Sequence, residues 1–151
     1  MNRFVEKFQP DAADVALCGS MAHKARWAEV VSILRAAGLV VHTPDLTENV
    51  DWDNLDEAEA IDKKNYFIER HLANIAASKA VLVCNYEKNG EPGYIGTNVL
   101  MEITAGYIYD KPIYLLNSIG IEGRGREVLS LRPVILNGDI DKLIEMMKEN
   151  K

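Results

Sequence analysis

Ala80-Val81-Leu82-Val83-Cys84 is an unbroken apolar run that opens onto the polar, glycine-containing stretch Asn85-Tyr86-Glu87-Lys88-Asn89-Gly90-Glu91-Pro92-Gly93-Tyr94-Ile95-Gly96-Thr97-Asn98. A strand with one wet face alternates apolar and polar residues, so a continuous run predicts a strand covered on both faces, as in a parallel sheet. Residues 98–109 follow as a predicted helix, apolar on nearly every side and therefore expected to be substantially buried. Upstream, Val15-Ala16-Leu17-Cys18 is a similar run. It ends in Gly19-Ser20 and leads into Trp27, Val30, Val31 and Leu34, the spacing of one helical face, with Gly38 closing that helix.

The same alternation fills the rest of the chain. Leu39-Val40-Val41-His42 reads as a second strand stopped by Pro44, and Ile61, Ile68, Leu72 and Ile75 form a helical stripe. Residues 112–116 give a fourth strand, 122–131 a short helix, and Val134-Ile135-Leu136 a fifth strand before an Asn137-Gly138 turn. Asp139 then caps a last helix bearing Ile140, Leu143, Ile144 and Met147. Continuous apolar strands alternating with helices predict an α/β domain of three layers, with five parallel strands in the flavodoxin-like order 2-1-3-4-5. Its ligands belong at the carboxyl ends of strands 1 and 3, where the winding reverses.

The chain of 151 residues, 48% apolar and 26% charged, fits one domain over 1–151 and excludes a disordered or fibrous protein. Its net charge of -6 argues against a nucleic-acid polymer or an anionic membrane as partner. The acidity is concentrated: Asp45, Glu48, Asp51, Asp53, Asp56, Glu57, Glu59 and Asp62 occur with no Lys or Arg among them, leaving the rest nearly neutral. Cys18 and Cys84 are too few for a disulfide scaffold, so a reduced, cytoplasmic chain is expected. No leader peptide or membrane span is expected, because neither 1–8 nor the low-charge stretch 92–109 is a long apolar run.

Two loops are placed to carry chemistry. After the first strand, Cys18-Gly19-Ser20-Met21-Ala22-His23-Lys24 is a small-residue turn running into a helix, whose free N–H groups suit an anion. Ser20 could equally be a plain N-cap, with Gly19 serving the turn. After the third strand, Glu102 is the only charged residue between Glu91 and Asp110. A carboxylate in so apolar a helix must face a polar cavity, be satisfied by backbone N–H groups or neighbours such as Thr97 and Asn98, or have its pKa displaced. The cysteines read as small core hydrophobes, and His42 and His71, without metal-ligand spacing, as surface or packing residues.

These residues resemble the nucleoside 2-deoxyribosyltransferase family, and more closely its relatives that hydrolyse 2'-deoxynucleoside 5'-monophosphates to a free base and a sugar phosphate. The resemblance rests on Leu17-Cys18-Gly19-Ser20-Met21, on residues 72–84, and on Glu102-Ile103-Thr104-Ala105-Gly106 followed by Lys111-Pro112-Ile113-Tyr114. It implies that Glu102 is the catalytic glutamate, acting on an N-glycosidic bond without metal or cofactor. It implies that Gly19, Ser20 and Met21 hold a 5'-phosphate or sugar hydroxyls, that Asn85 and Asn98 bond the sugar or base, and that His23 and Gly96 complete the substrate-binding set. It also implies a homodimer or higher homo-oligomer acting on a small nucleoside or nucleotide.

Three positions depart from the family. Ala16 stands where many members have Tyr, His71 where they have a carboxylate, and Lys79 where they have Asp. Glu102 lies five residues after Thr97, whereas the family glutamate follows its Thr more closely, which leaves Leu100 as the alternative counterpart. The loop 92–97 also looks like the Pro-Gly-Gly-x-Gly-Thr loop of cytokinin-activating phosphoribohydrolases, which cleave a nucleotide's N-glycosidic bond. The rival reading is a non-catalytic nucleotide-binding or sensor module on the same fold.

Overall fold

The computed structural model describes residues 2–44 and 50–149. Five parallel strands, β1 (Ala13–Cys18), β2 (Val41–His42), β3 (Ser78–Val83), β4 (Ile113–Leu115) and β5 (Val134–Ile135), form one sheet in the order β2-β1-β3-β4-β5. This is the expected order, with the winding reversing between β1 and β3. The helices are α1 (Arg3–Phe8), α2 (Lys24–Ala36), α3 (Glu57–Ala76), α4 (Thr97–Ile108), α5 (Gly125–Ser130) and α6 (Ile140–Glu149).

Alternation along β1 sorts the interior into two cores. Val15 and Leu17 point to one face, where Trp27, Val30, Val31 and Leu34 of α2 meet Leu143 and Met147 of α6. Ala16 and Cys18 point to the other, against Ile75 of α3, Val99 and Ile103 of α4 and Val128 of α5. Each fully buried aliphatic side chain here contributes about 1.5–3 kcal/mol, which is why β1 from Val15 and β3 from Ala80 are apolar on both faces.

Local signals set the boundaries. Gly38, at φ +89°, ends α2, and its N–H bonds the Arg35 carbonyl. Asn137 and Gly138 both take positive φ in their turn, and Asp139 accepts from the Lys142 N–H at 3.2 Å. Gly106 lets α4 press onto the sheet: a Cβ there would stand 2.9 Å from both Ile113 Cδ1 and Val81 Cγ2.

The structure corrects two expectations and adds one helix. Helix α4 is buried only along Val99, Ile103 and Gly106, while Met101, Tyr107 and Ile108 are exposed, because the helix covers the sheet from outside and has one layer beneath it. Ile61, read as part of an inward stripe, is also exposed, since the first turns of α3 lie beyond the apolar core formed at Ile75. Helix α1 has no apolar period to announce it. Asn2 caps it, and it packs on α3 through Phe8 against Tyr66 and a 2.7 Å Lys7–Glu69 ion pair. No described helix is long and apolar enough to cross a membrane. Of the acidic segment, residues 45–49 lie outside the described residues.

Candidate functional site

The chain turns sharply after β1. Gly19 packs so close to Trp27 that a Cβ would lie 3.2 Å from its ring, and the Trp27 indole N–H donates to the Ser20 carbonyl at 3.0 Å. Ser20 caps a single 3-10 turn (Met21–His23), its hydroxyl oxygen accepting from the Ala22 N–H at 3.3 Å. The cap reading of Ser20 is therefore present, and its hydroxyl proton still remains to donate.

The inward end of β1 brings Cys18 between α3 and α4. There the donor atoms of Cys18, His71 and Glu102 all lie within 4.8 Å of one another. The His71 Nε2 stands 2.9 Å from the Leu17 carbonyl oxygen and 3.6 Å from Cys18 Sγ. A carbonyl can only accept, so Nε2 carries a proton and donates it to Leu17. Nδ1 is met by the Asn74 amide at 3.4 Å, and the Cys18 thiol lies within 4.8 Å of the Glu102 carboxylate.

Burial pushes Glu102 above the ordinary glutamate range; the nearby His71 and the Cys18 thiol oppose that rise without cancelling it. Burial also pushes the Cys18 thiol well up, and the adjacent carboxylate adds to this. With no solvent exposure, Cys18 is a hydrogen-bond donor rather than a nucleophile. Cys, His and Glu are metal-ligand types. A metal bound at Nε2 would displace the proton that His71 gives to Leu17 and break that contact.

Glu102 opens onto a cavity of about 820 Å³ at the carboxyl ends of β1, β2 and β3. Six of the residues singled out in the sequence line it together: Gly19, Ser20, Met21, Gly96, Asn98 and Glu102. Two do not. Asn85 is buried and ties β3 to β4, its side-chain Oδ1 accepting from the Asn117 N–H at 2.9 Å and its side-chain amide donating to the Asn117 carbonyl at 2.7 Å. His23 stacks edge-on to Tyr86, with ring centroids 5.6 Å apart. The departures Ala16 and Lys79 also lie away from the cavity. Ala16 is core, and Lys79 pairs with Asp14 at 3.4 Å.

The cavity holds residues that the sequence reading missed. Trp52, on a 3-10 turn (Trp52–Asn54), and Phe67 of α3 meet edge-to-face at 6.4 Å and form one wall. The Lys64 ammonium lies 5.0 Å from the Trp52 ring centre. Tyr94 and Lys88 stand on the loop before α4, also in cation–π contact, at 5.2 Å. Arg70 and His71 complete the α3 side.

No protein-family model matches the sequence, and no curated protein does either. Among solved structures, the chain is similar to a 2-deoxyribosyltransferase from the psychrotolerant bacterium Bacillus psychrosaccharolyticus. The two are 19% identical with a TM-score of 0.52, over 72% of this chain and 74% of that one. The likeness is one of fold: a five-stranded parallel sheet with helices on both sides.

Proposed function

We propose that this chain cleaves or transfers at the N-glycosidic bond of a nucleoside or nucleoside 5'-monophosphate, with Glu102 as nucleophile or electrostatic stabiliser. The observation that carries the reading is the Glu102 carboxylate opening onto a nucleotide-sized cavity at the point where the sheet reverses. Breaking the bond builds positive charge at C1' of the sugar. A carboxylate beneath that carbon stabilises the charge, or bonds to C1' as the base departs with the bonding electrons. Water then releases the sugar, or the sugar 5'-phosphate from a monophosphate, and a second base gives transfer instead.

The other walls suit the rest of such a substrate. Trp52 and Phe67 offer a base an aromatic face, and Gly96 and Asn98 lie beside Glu102 near the sugar. Ser20 and the cations Lys64, Arg70 and Lys88 supply donors and positive charge for a phosphate. The reaction as written needs no metal or cofactor. We place it in the reducing cytoplasm, where Cys18 and Cys84 stay as thiols, and in a homo-oligomer that covers the exposed Met101, Tyr107 and Ile108 of α4.

The test is a panel of deoxy- and ribonucleosides and their 5'-monophosphates, with and without a second free base, in which released and exchanged bases are separated and quantified. Base release or exchange from at least one member supports the reading. Tight binding without turnover across the panel favours the non-catalytic binding module.

A further inference from the structure

We propose that His71, assisted by Cys18, is the positioning residue of Glu102, holding its carboxylate ionised and aimed into the cavity. The proposal rests on the reading of Glu102 as the reacting carboxylate. His71 occupies a place where the sequence resemblance implies a second carboxylate, and an imidazole there removes a like charge from beside Glu102.

The geometry assigns His71 this role and excludes two others. Its Nε2–H is held by the Leu17 carbonyl at 2.9 Å and its Nδ1 by the Asn74 amide at 3.4 Å, so the ring is pinned at both nitrogens. A pinned ring cannot swing to carry protons between substrate and solvent, and with Nε2 engaged it cannot attack. It can supply a fixed dipole or charge. The Asn74 amide accommodates both ring states: its N–H₂ donates to a neutral Nδ1, and a half-turn presents its oxygen to an Nδ1–H. In either state the ring stays in place, within 4.8 Å of Glu102.

Glu102 needs such a partner. Among the described residues it makes no ion pair with Lys or Arg, and it sits between two apolar contacts of α4, Val99 and Ile103. An ionised carboxylate placed so is costly unless compensated. The titratable or charged groups around it are Cys18 from β1, His71 from α3, and, lining the same cavity, Lys64 and Arg70 from α3 with Lys88 and Tyr94 from the loop before α4. Of these, Cys18 and His71 are the ones in the close cluster.

The test compares wild type with His71→Asn, His71→Gln and Cys18→Ala, each confirmed folded by circular dichroism. Two readouts are taken against pH: kcat/KM, and the ¹³C shift of the Glu102 side-chain carboxyl, assigned by its loss in Glu102→Gln. In both His71 variants the carboxyl midpoint and the acid limb of the rate profile move together to higher pH. At the acid end, kcat/KM then falls about tenfold relative to its alkaline plateau, the consequence of losing a nearby opposite charge. Cys18→Ala moves both the same way by less. A carboxyl midpoint that stays in place, or moves to lower pH, in a folded His71 variant overturns the proposal. The NMR midpoint is independent of turnover: if it moves while Glu102→Gln keeps full activity, the coupling stands and the glycosidic reading falls.

Discussion

Sγ of Cys18 lies 3.6 Å from Nε2 of His71, joining the last residue of β1 to the interior of α3. Cys18 is completely buried and Cys84 nearly so, and burial raises both thiols, Cys84 to about 12. Neither is then available as thiolate at neutral or mildly alkaline pH. A colorimetric disulfide reagent should titrate no thiol in the native protein within minutes and both in denaturant. One fast equivalent in the native state would show that the β1 end opens.

The displaced titration of Glu102 has a consequence for stability. Its folded pKa lies above its unfolded one, so between the two the native state binds more protons. This contribution favours folding at low pH and is lost as pH rises through the folded value. Glu102→Gln should therefore raise the melting temperature near neutral pH, with the difference shrinking toward acid. A variant less stable than wild type at neutral pH would contradict this, and would mean that the carboxylate is structurally satisfied rather than held at a cost for function.

Gly106 sets how closely α4, and with it Glu102, approaches the sheet. Gly106→Val adds atoms where Ile113 and Val81 leave none and brings β-branching into a helix, so nothing offsets the overpacking. The expected loss is about 1–3 kcal/mol, read as a lower denaturant midpoint with unchanged slope. An unchanged midpoint would show that α4 sits further from the sheet.

The fold was legible because its signal is local. The apolar run at residues 80–84, the run at 15–18 and Gly38 after α2 state burial and termination in their own sequence, and the strand order follows from the winding rules. Of the candidate site, the sequence pointed to the loops after β1 and β3 and to Glu102, the one charged residue of α4, and these line one cavity. Cys18 and His71 each look ordinary in sequence, a small core residue and a packing histidine. Their meeting is a product of topology across 53 positions. Asn85 misled in the opposite direction: a polar residue at a strand end suggests a ligand, but here its amide completes the hydrogen bonding between β3 and β4.

Trp52 and Trp27 give an internal comparison for binding. Trp52 lines the cavity at 39% exposure, whereas Trp27 is wholly buried and absent from it. A nucleotide in the cavity should quench or shift the fluorescence of Trp52 alone. The change should disappear in Trp52→Phe, which leaves Trp27 as the unresponsive emitter, and affinity should weaken in Trp52→Ala by about 1–3 kcal/mol of lost base stacking. A ligand-dependent change that survives in Trp52→Phe would place the ligand elsewhere.

The role of the Glu102 carboxylate is tested most directly by the initial rate of base release by wild type, Glu102→Gln and Glu102→Ala on whichever nucleoside or nucleotide the panel identifies. Removing a group that stabilises or bonds the developing charge should lower kcat by at least about a hundredfold in both variants, while the Trp52 fluorescence response to substrate is retained. Turnover at the wild-type rate in folded Glu102→Gln and Glu102→Ala would contradict it.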